Sequence, residues 1–231
     1  MDFYKILDYL YPPRCPVCDR ISGRGICASC KKKLVYIRED FCLKCGKPLD
    51  DSREEYCPDC RRRKHFFEQG RSLYSYRGDV RKSLYRLKYA NKREYAYCYG
   101  REIVKYLGPW ILQKKITKIV PIPLHPARKR QRGYNQAALI ARSIGQNTGI
   151  PVDEHLLCRK KQTIPQKELS DRERKENLKN AFQVRKKSSL EGNILLVDDI
   201  YTTGSTVDAA AECLIKAGKC RVYVITVAIG G

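Results

Sequence analysis

Residues 194–206 read ILLVDDIYTTGST. A four-residue apolar run, Ile194 to Val197, leads into paired acids, Asp198 and Asp199, and then into small hydroxyl residues around Gly204. An apolar run this short, leading into Gly and Thr, predicts a buried parallel strand. From Ser205 the period changes. Val207, Ala210, Cys213, Leu214 and Ala217 recur at three and four residues, which predicts a helix from near Ser205 to Gly218. The unit is strand, tight turn, helix.

The first turn of such a helix leaves N–H groups unpaired, and its dipole adds partial positive charge there, so the turn suits a phosphate. Small residues at Thr202, Thr203, Gly204 and Ser205 allow close approach to the backbone, and their hydroxyls add donors. Asp198 and Asp199 fall at the carboxyl end of the strand, where open α/β sheets bind ligands. Carboxylates beside a phosphate need donors of their own, which points to ligand hydroxyls or a metal ion. A ribose 5-phosphate supplies both halves. Packing alone would explain a strand and a capped helix, but it requires neither adjacent acids nor a Thr-Thr-Gly turn. The apolar-strand-plus-acids motif of ATPases needs a GxxxxGK[ST] partner loop, and Gly218-Lys219 is followed by Cys220.

Working outward, Val222 to Ala228 predicts a strand that completes a parallel βαβ unit with 194–197. Ile116 to Ile122 predicts the first strand of the sheet. It runs into PIPLHPARKRQRGYNQA, residues 121–137, which reads as a Pro-stiffened loop carrying Arg128, Lys129, Arg130 and Arg132, placed for a pyrophosphate. His125 in that loop reads as a cap. A helix with Ala138, Ile140, Ala141 and Ile144 follows and closes near Gly149; a strand near Val152 to Cys158 comes next. The polar stretch RKKQTIPQKELSDRERKENLKNAFQV has no apolar stripe before Phe182, as in functional loops.

Upstream, eight of the twelve cysteines form four Cys-x-x-Cys knuckles: Cys15/Cys18, Cys27/Cys30, Cys42/Cys45 and Cys57/Cys60. Two such knuckles facing each other supply the four soft ligands of tetrahedral zinc, so two closed structural zinc sites are expected. Sequential pairing needs only local hairpins and is preferred to a cross-braced arrangement; His65 is near enough to replace a ligand, but with four cysteines available per site it is not expected to. The N-terminal MDFYKILDYLYPP carries Asp2, Lys5 and Asp8 and lacks a small-residue cleavage site, and no apolar run approaches the ~20 residues of a membrane helix. A soluble cytoplasmic protein without membrane insertion is expected, in which paired cysteines serve as metal ligands rather than disulfides. Residues 2–11 read as a short amphipathic helix ended by Pro12-Pro13, and Arg61 to Lys64 as a solvated linker between two domains, 1–65 and 66–231.

The net charge of +22 is uneven: residues 66–231 hold 32 of the 47 Lys and Arg against 15 of the 25 Asp and Glu. Charge of that density draws polyanions. Phe66 to Tyr76 reads as extended, Val80 to Tyr89 as a helix, and 94–107 as a helix ending at Gly108-Pro109. Between 74 and 106 lie eight of the sixteen tyrosines, interleaved with Arg81, Lys82, Arg86, Lys88, Lys92 and Arg93. Rings beside cations can stack single-stranded bases. Alternatively, Tyr85/Tyr89 and Tyr95/Tyr99 are packing pairs at four-residue spacing, the reading preferred from sequence.

The acid-acid, two apolar, small-Thr-Gly-small-Thr pattern from Asp198 to Thr206 resembles the phosphoribosyl pyrophosphate (PRPP) signature of type I phosphoribosyltransferases. The resemblance implies an α/β fold with a mostly parallel sheet and flanking helices, added here to a small N-terminal double zinc ribbon. It implies that Asp198 and Asp199 bind the ribose hydroxyls, that Thr202, Thr203, Gly204, Ser205 and Thr206 wrap the 5′-phosphate, and that Arg128, Arg130 and Arg132 meet the pyrophosphate of PRPP bound with Mg²⁺. It also makes the polar stretch before Phe182 a closing loop. Together, the knuckles, YSYRGDVRKSLYRLKY, PIPLHPARKRQRGYNQA and VDDIYTTGST resemble the ComF family of competence proteins over nearly the whole chain. That resemblance implies a cytoplasmic role in natural transformation, on incoming single-stranded DNA, beside a competence translocase or recombination proteins. Three readings of the site stay open: PRPP binding in the service of DNA uptake, transfer of ribose 5-phosphate to a base or amine, and sensing of PRPP or nucleotide. The sequence identifies no base-recognition residues.

Overall fold

The computed structural model describes residues 12–23, 25–160, 181–185 and 190–230. The helix expected over 2–11 and most of the expected closing loop lie outside them. In chain order the elements are α1 (Ala28–Lys31), α2 (Pro58–Arg62), β1 (Gln69–Ser75), α3 (Gly78–Tyr89), α4 (Glu94–Gln113), β2 (Ile116–Pro121), α5 (Pro126–Arg132), α6 (Gln136–Thr148), β3 (Leu157–Arg159), β4 (Phe182–Val184), β5 (Gly192–Tyr201), α7 (Ser205–Ala217) and β6 (Cys220–Ile229).

The central sheet runs β1-β6-β5-β2 with every pairing parallel. Because side chains alternate along a strand, β5 feeds two cores at once. Leu195 and Val197 join Ile225, Val227 and residues of α3, α4 and α6 on one face, while Ile194 and Leu196 join Val222, Val224 and residues of α7 on the other. Burial on both faces explains why 194–197 is continuously apolar rather than alternating.

Several elements differ from their sequence reading. The first strand of the sheet is β1, ahead of β2, and it forms an edge through its pairing with β6. The helix from 94 does not stop at Gly108-Pro109 but continues to Gln113 with Pro109 inside it. Packing of its last turns outweighs the lost proline N–H: Leu107 and Ile111 are buried, and the Trp110 indole donates to Gln69. Finally, Val152 to Cys158 is not one strand. Val152 makes an isolated parallel bridge to Ile119, and Leu157–Arg159 turns away to pair antiparallel with Phe182–Val184.

The N-terminal cysteine-rich part packs against the sheet. Its chain covers the exposed edge of β1, with Ile37 N donating to Leu73 O, Gly70 N to Lys44 O, and Tyr36 bridging Tyr74. A bare edge strand would otherwise present unpaired backbone groups. The approach is close: Gly46 has φ +79°, and a Cβ on it would meet Gly70 O at 2.7 Å. Cys15 and Cys30 belong to the α3/α4/α6 core, and Cys42, Cys45 and Cys57 to the α7 core. Residues 58–62, which overlap the expected linker, are helical, and Arg61 pairs with Glu54.

Candidate functional site

β5 ends at Tyr201, and Gly204, in the left-handed conformation at φ +77°, begins α7. A Cβ on Gly204 would collide with the Tyr201 hydroxyl and lie 2.6 Å from its Cζ, so only glycine fits this turn without rearrangement. Within it, the Thr203 and Ser205 hydroxyls are 2.9 Å apart. Asp198 and Asp199 sit just before, near the carboxyl end of the strand, and the Asp199 amide donates to Asp198 Oδ1 at 2.8 Å.

These acids open onto a cavity of about 930 Å³. Asp198, Asp199, Thr202 and Thr206 line one part of it; Arg128, Arg130 and Arg132 line another. The structure therefore gathers seven of the expected ligand-binding residues around one space. Thr203, Gly204 and Ser205 are absent from the lining and shape the turn behind it. The arginines are carried by helix α5 rather than by a loop. Pro126 occupies its first turn, His125 Nδ1 accepts from Ala127 N at 3.3 Å, and Gly133 at φ +80° closes it. Start and stop signals thus bracket a single helical run, and His125 has the capping role expected of it. Arg132 donates to Gln136 Oε1 at 2.6 Å, which ties α5 to the first turn of α6.

Lys88, from the end of α3, lies 2.6 Å from Asp199, with side-chain exposures of 20% and 5%. Burial opposes ionisation of Asp199, but the Lys88 ammonium outweighs it and holds the carboxyl below its ordinary value. Burial likewise opposes the charged amine, and Asp199 reverses this, raising Lys88. Asp198 goes the other way: burial, then the neighbouring Asp199 charge, push it well above the ordinary carboxyl value. Two adjacent acids are thus driven apart, one held ionised by a lysine and one biased towards its proton.

Lys88, Tyr89, Arg93, Tyr134 and Arg159 also line the cavity. From sequence, Lys88, Tyr89 and Arg93 were only members of a basic, tyrosine-rich stretch. Lys88 follows the buried Leu84 by four residues and so shares its inward face; a lysine on the apolar face of a helix is the signal that could have found it. Of the two tyrosine pairs, Tyr95 and Tyr99 are buried as the packing reading expects. Tyr85 and Tyr89 are 63% and 65% exposed.

The eight knuckle cysteines gather into two groups, Cys15, Cys18, Cys27, Cys30 and Cys42, Cys45, Cys57, Cys60, with the sulfurs of each within 4.8 Å of one another. This is the sequential pairing. Tetrahedral zinc with bonds of about 2.3 Å places ligand sulfurs roughly 3.8 Å apart. Cys18 and Cys27 Sγ are 3.8 Å apart, and Cys45 and Cys57 Sγ 3.7 Å, so both groups fit structural zinc. His65 stands outside the second group, its Nε2 at 3.4 Å from Cys60 Sγ and its Nδ1 at 2.6 Å from Asp208 Oδ2 on α7.

Fold and cysteine sites together define a mixed α/β protein with a mostly parallel sheet, flanking helices and an N-terminal double zinc ribbon; the double zinc ribbon domain matches residues 6–61. Over 207 residues the chain is 31% identical to competence protein ComFC of Bacillus subtilis, spanning 89% of this chain and 72% of that protein. It is 40% identical over 102 residues to competence protein F of Haemophilus influenzae, spanning 43% of this chain and 44% of that protein. It is 37% identical over 108 residues to DNA utilization protein YhgH of Escherichia coli, spanning 46% of this chain and 47% of that protein. The match to the last two thus spans less than half of their length. The chain belongs to the ComF family. Among the described residues, no helix is long and apolar enough to cross a membrane.

Proposed function

We propose that this protein binds PRPP and acts in natural competence, on incoming single-stranded DNA. The observation that carries the PRPP reading is that the paired acids, Thr202 and Thr206 at the two ends of the turn, and the arginines of α5 line one cavity. In this reading Asp198 and Asp199 receive the ribose hydroxyls, residues 202–206 hold the 5′-phosphate, and Arg128, Arg130 and Arg132 face the pyrophosphate, with Mg²⁺ bound alongside it. In this reading residues 1–65 are a zinc-ribbon unit and 66–231 a ligand-binding unit, with Cys15, Cys30, Cys42, Cys45 and Cys57 of the first packed in the cores of the second. The competence reading draws on the relatives' names and on the basic excess of residues 66–231. Titration calorimetry tests the ligand: wild type is expected to bind PRPP in Mg²⁺, and Asp198→Asn/Asp199→Asn to lose that binding. Unchanged heats in the double variant would remove the proposal. The DNA half predicts a steep loss of single-strand affinity with salt, since neutralised phosphates release counterions.

A second reading, transfer of ribose 5-phosphate from PRPP to a base or amine, is favoured by the cavity volume. About 930 Å³ lies near the top of the ~300–1,000 Å³ range of small-ligand sites and leaves room for an acceptor. Pyrophosphate released only when an acceptor is added separates transfer from binding.

A further inference from the structure

On α3, Arg81, Tyr85 and Tyr89 recur every four residues and share one helix face. Tyr85 and Tyr89 are 63% and 65% exposed, with ring centroids 4.8 Å apart and planes inclined by 43°. Two large rings held side by side and open to solvent contribute little to the core. The stripe is flanked by cations: Arg81 and Lys82 are exposed, and the Arg132 guanidinium stands 5.2 Å from the Tyr89 ring centroid. It also leads somewhere, because Tyr89 and Arg132 both line the cavity, as do Arg93 and Tyr134, whose guanidinium and ring are 4.8 Å apart.

A second patch of rings and cations, around Tyr36, Tyr106 and Arg38, differs in kind. Its rings are half-buried, packed 4.5 Å from one another, and covered by the Arg38 guanidinium at 5.5 and 5.6 Å. That patch is stacked on itself.

We infer that the Arg81–Tyr85–Tyr89 stripe is a stacking platform for single-stranded nucleic acid, leading it to the mouth of the Asp198/Asp199 cavity. Unpaired bases offer π-faces to rings of any orientation, and stacking tolerates any sequence, while the arginines neutralise the intervening phosphates. A duplex hides those faces and is excluded from the rings. The base on Tyr89 then sits at the cavity opening, beside Arg132. The inference rests on the proposal that the macromolecular partner is a single strand, and it adds where that strand lies.

The test uses the full zinc-loaded chain and fluorescently labelled oligo-dT a few tens of nucleotides long, with anisotropy as readout. Tyr85→Ala/Tyr89→Ala is expected to weaken binding by at least about 30-fold, and Tyr85→Phe/Tyr89→Phe to stay within about threefold of wild type, because the rings rather than the hydroxyls do the stacking. Tyr97→Ala, an exposed ring on α4 rather than on the α3 stripe, is expected to bind as wild type. Photo-crosslinking of an iodouracil-bearing strand, mapped by peptide mass, should mark residues 81–93. Normal binding by the double alanine variant, equal affinity for a duplex, or crosslinks confined to the zinc ribbon would overturn the platform while leaving single-strand binding standing. No binding by wild type at all would overturn both.

Discussion

Lys88 Nζ lies 2.6 Å from Asp199 Oδ2 across the floor of the cavity, joining the end of α3 to the end of β5. Both groups are largely withdrawn from water, so each is tolerated as a charge through the other. Lys88→Met should therefore strip the buried Asp199 carboxyl of its main counter-charge, at a cost of about 3–5 kcal/mol in urea unfolding. The double variant Lys88→Met/Asp199→Asn should recover much of that loss, since it removes both charges. Additive losses in the two single variants would contradict a coupled pair.

The opposite pKa directions of the two acids give a signed pH prediction. Asp199, lowered, contributes stability at all pH values above its ordinary 3.8 and loses it only as pH falls through its depressed value. Asp198, raised, is the reverse: its contribution is complete below 3.8 and fades as pH rises through its elevated value. Asp198→Asn keeps an acceptor for the Asp199 amide and removes the charge. It should melt higher than wild type near pH 8, with the gap shrinking towards pH 5, as followed by circular dichroism. Parallel melting curves across that range would show that Asp198 is not held towards its proton. On the proposed PRPP reading, sugar hydroxyls donate to an ionised Asp198, so binding should release protons, detectable as calorimetric heats that vary with the buffer.

Much of this arrangement is legible in sequence, because it depends on local chemistry. The 194–206 stretch foretells β5, its turn and α7; the four knuckles foretell two cysteine clusters with sequential pairing; His125 reads as a cap. What sequence conceals depends on packing between distant segments. Pro109 reads as a helix stop, and the burial of Leu107 and Ile111 carries the helix through it. Val152 to Cys158 reads as one strand, but one bridge to Ile119 and a turn towards β4 divide it. Lys88 looks like one cation among many until the fold sets it against Asp199. The Arg61–Lys64 run reads as a solvated linker, whereas residues 58–62 are helical and Ile37, Cys42 and Cys45 lie in the same core as Val224 and Tyr201.

The turn that bounds the cavity rests on Gly204. Alanine there meets two penalties: a left-handed backbone, at roughly 1–2 kcal/mol, and a collision with the buried Tyr201 ring. Gly204→Ala should lower the unfolding free energy by at least about 1 kcal/mol and displace the Thr202–Thr206 segment. A Tyr201→Ala background would relieve the collision but not the backbone strain, so only part of the loss should return. If Gly204→Ala unfolds at the same urea concentration as wild type, the turn tolerates a side chain and its geometry is not glycine-dependent.

Zinc removal provides the last test, because the clusters lie within the cores that cover the sheet. Cys42, Cys45 and Cys57 pack with Phe67, Tyr201 and Val224, while His65, beside Cys60, holds Asp208 in the first turn of α7. Metal binding and folding are coupled in such sites, with apparent free energies of about 10–16 kcal/mol for isolated zinc modules. Elemental analysis should find two zinc ions per chain. Chelation, or Cys57→Ser in the second cluster, should lower the melting temperature of the whole chain in one transition, reported equally by far-ultraviolet circular dichroism and by tyrosine fluorescence. Disruption of the first cluster by Cys15→Ser should act through the other face, where Cys15 and Cys30 pack with Leu84, Tyr95 and Tyr99. Two separate transitions, with the sheet melting at an unchanged temperature after zinc is gone, would mean that the ribbons lie on the sheet without supporting it.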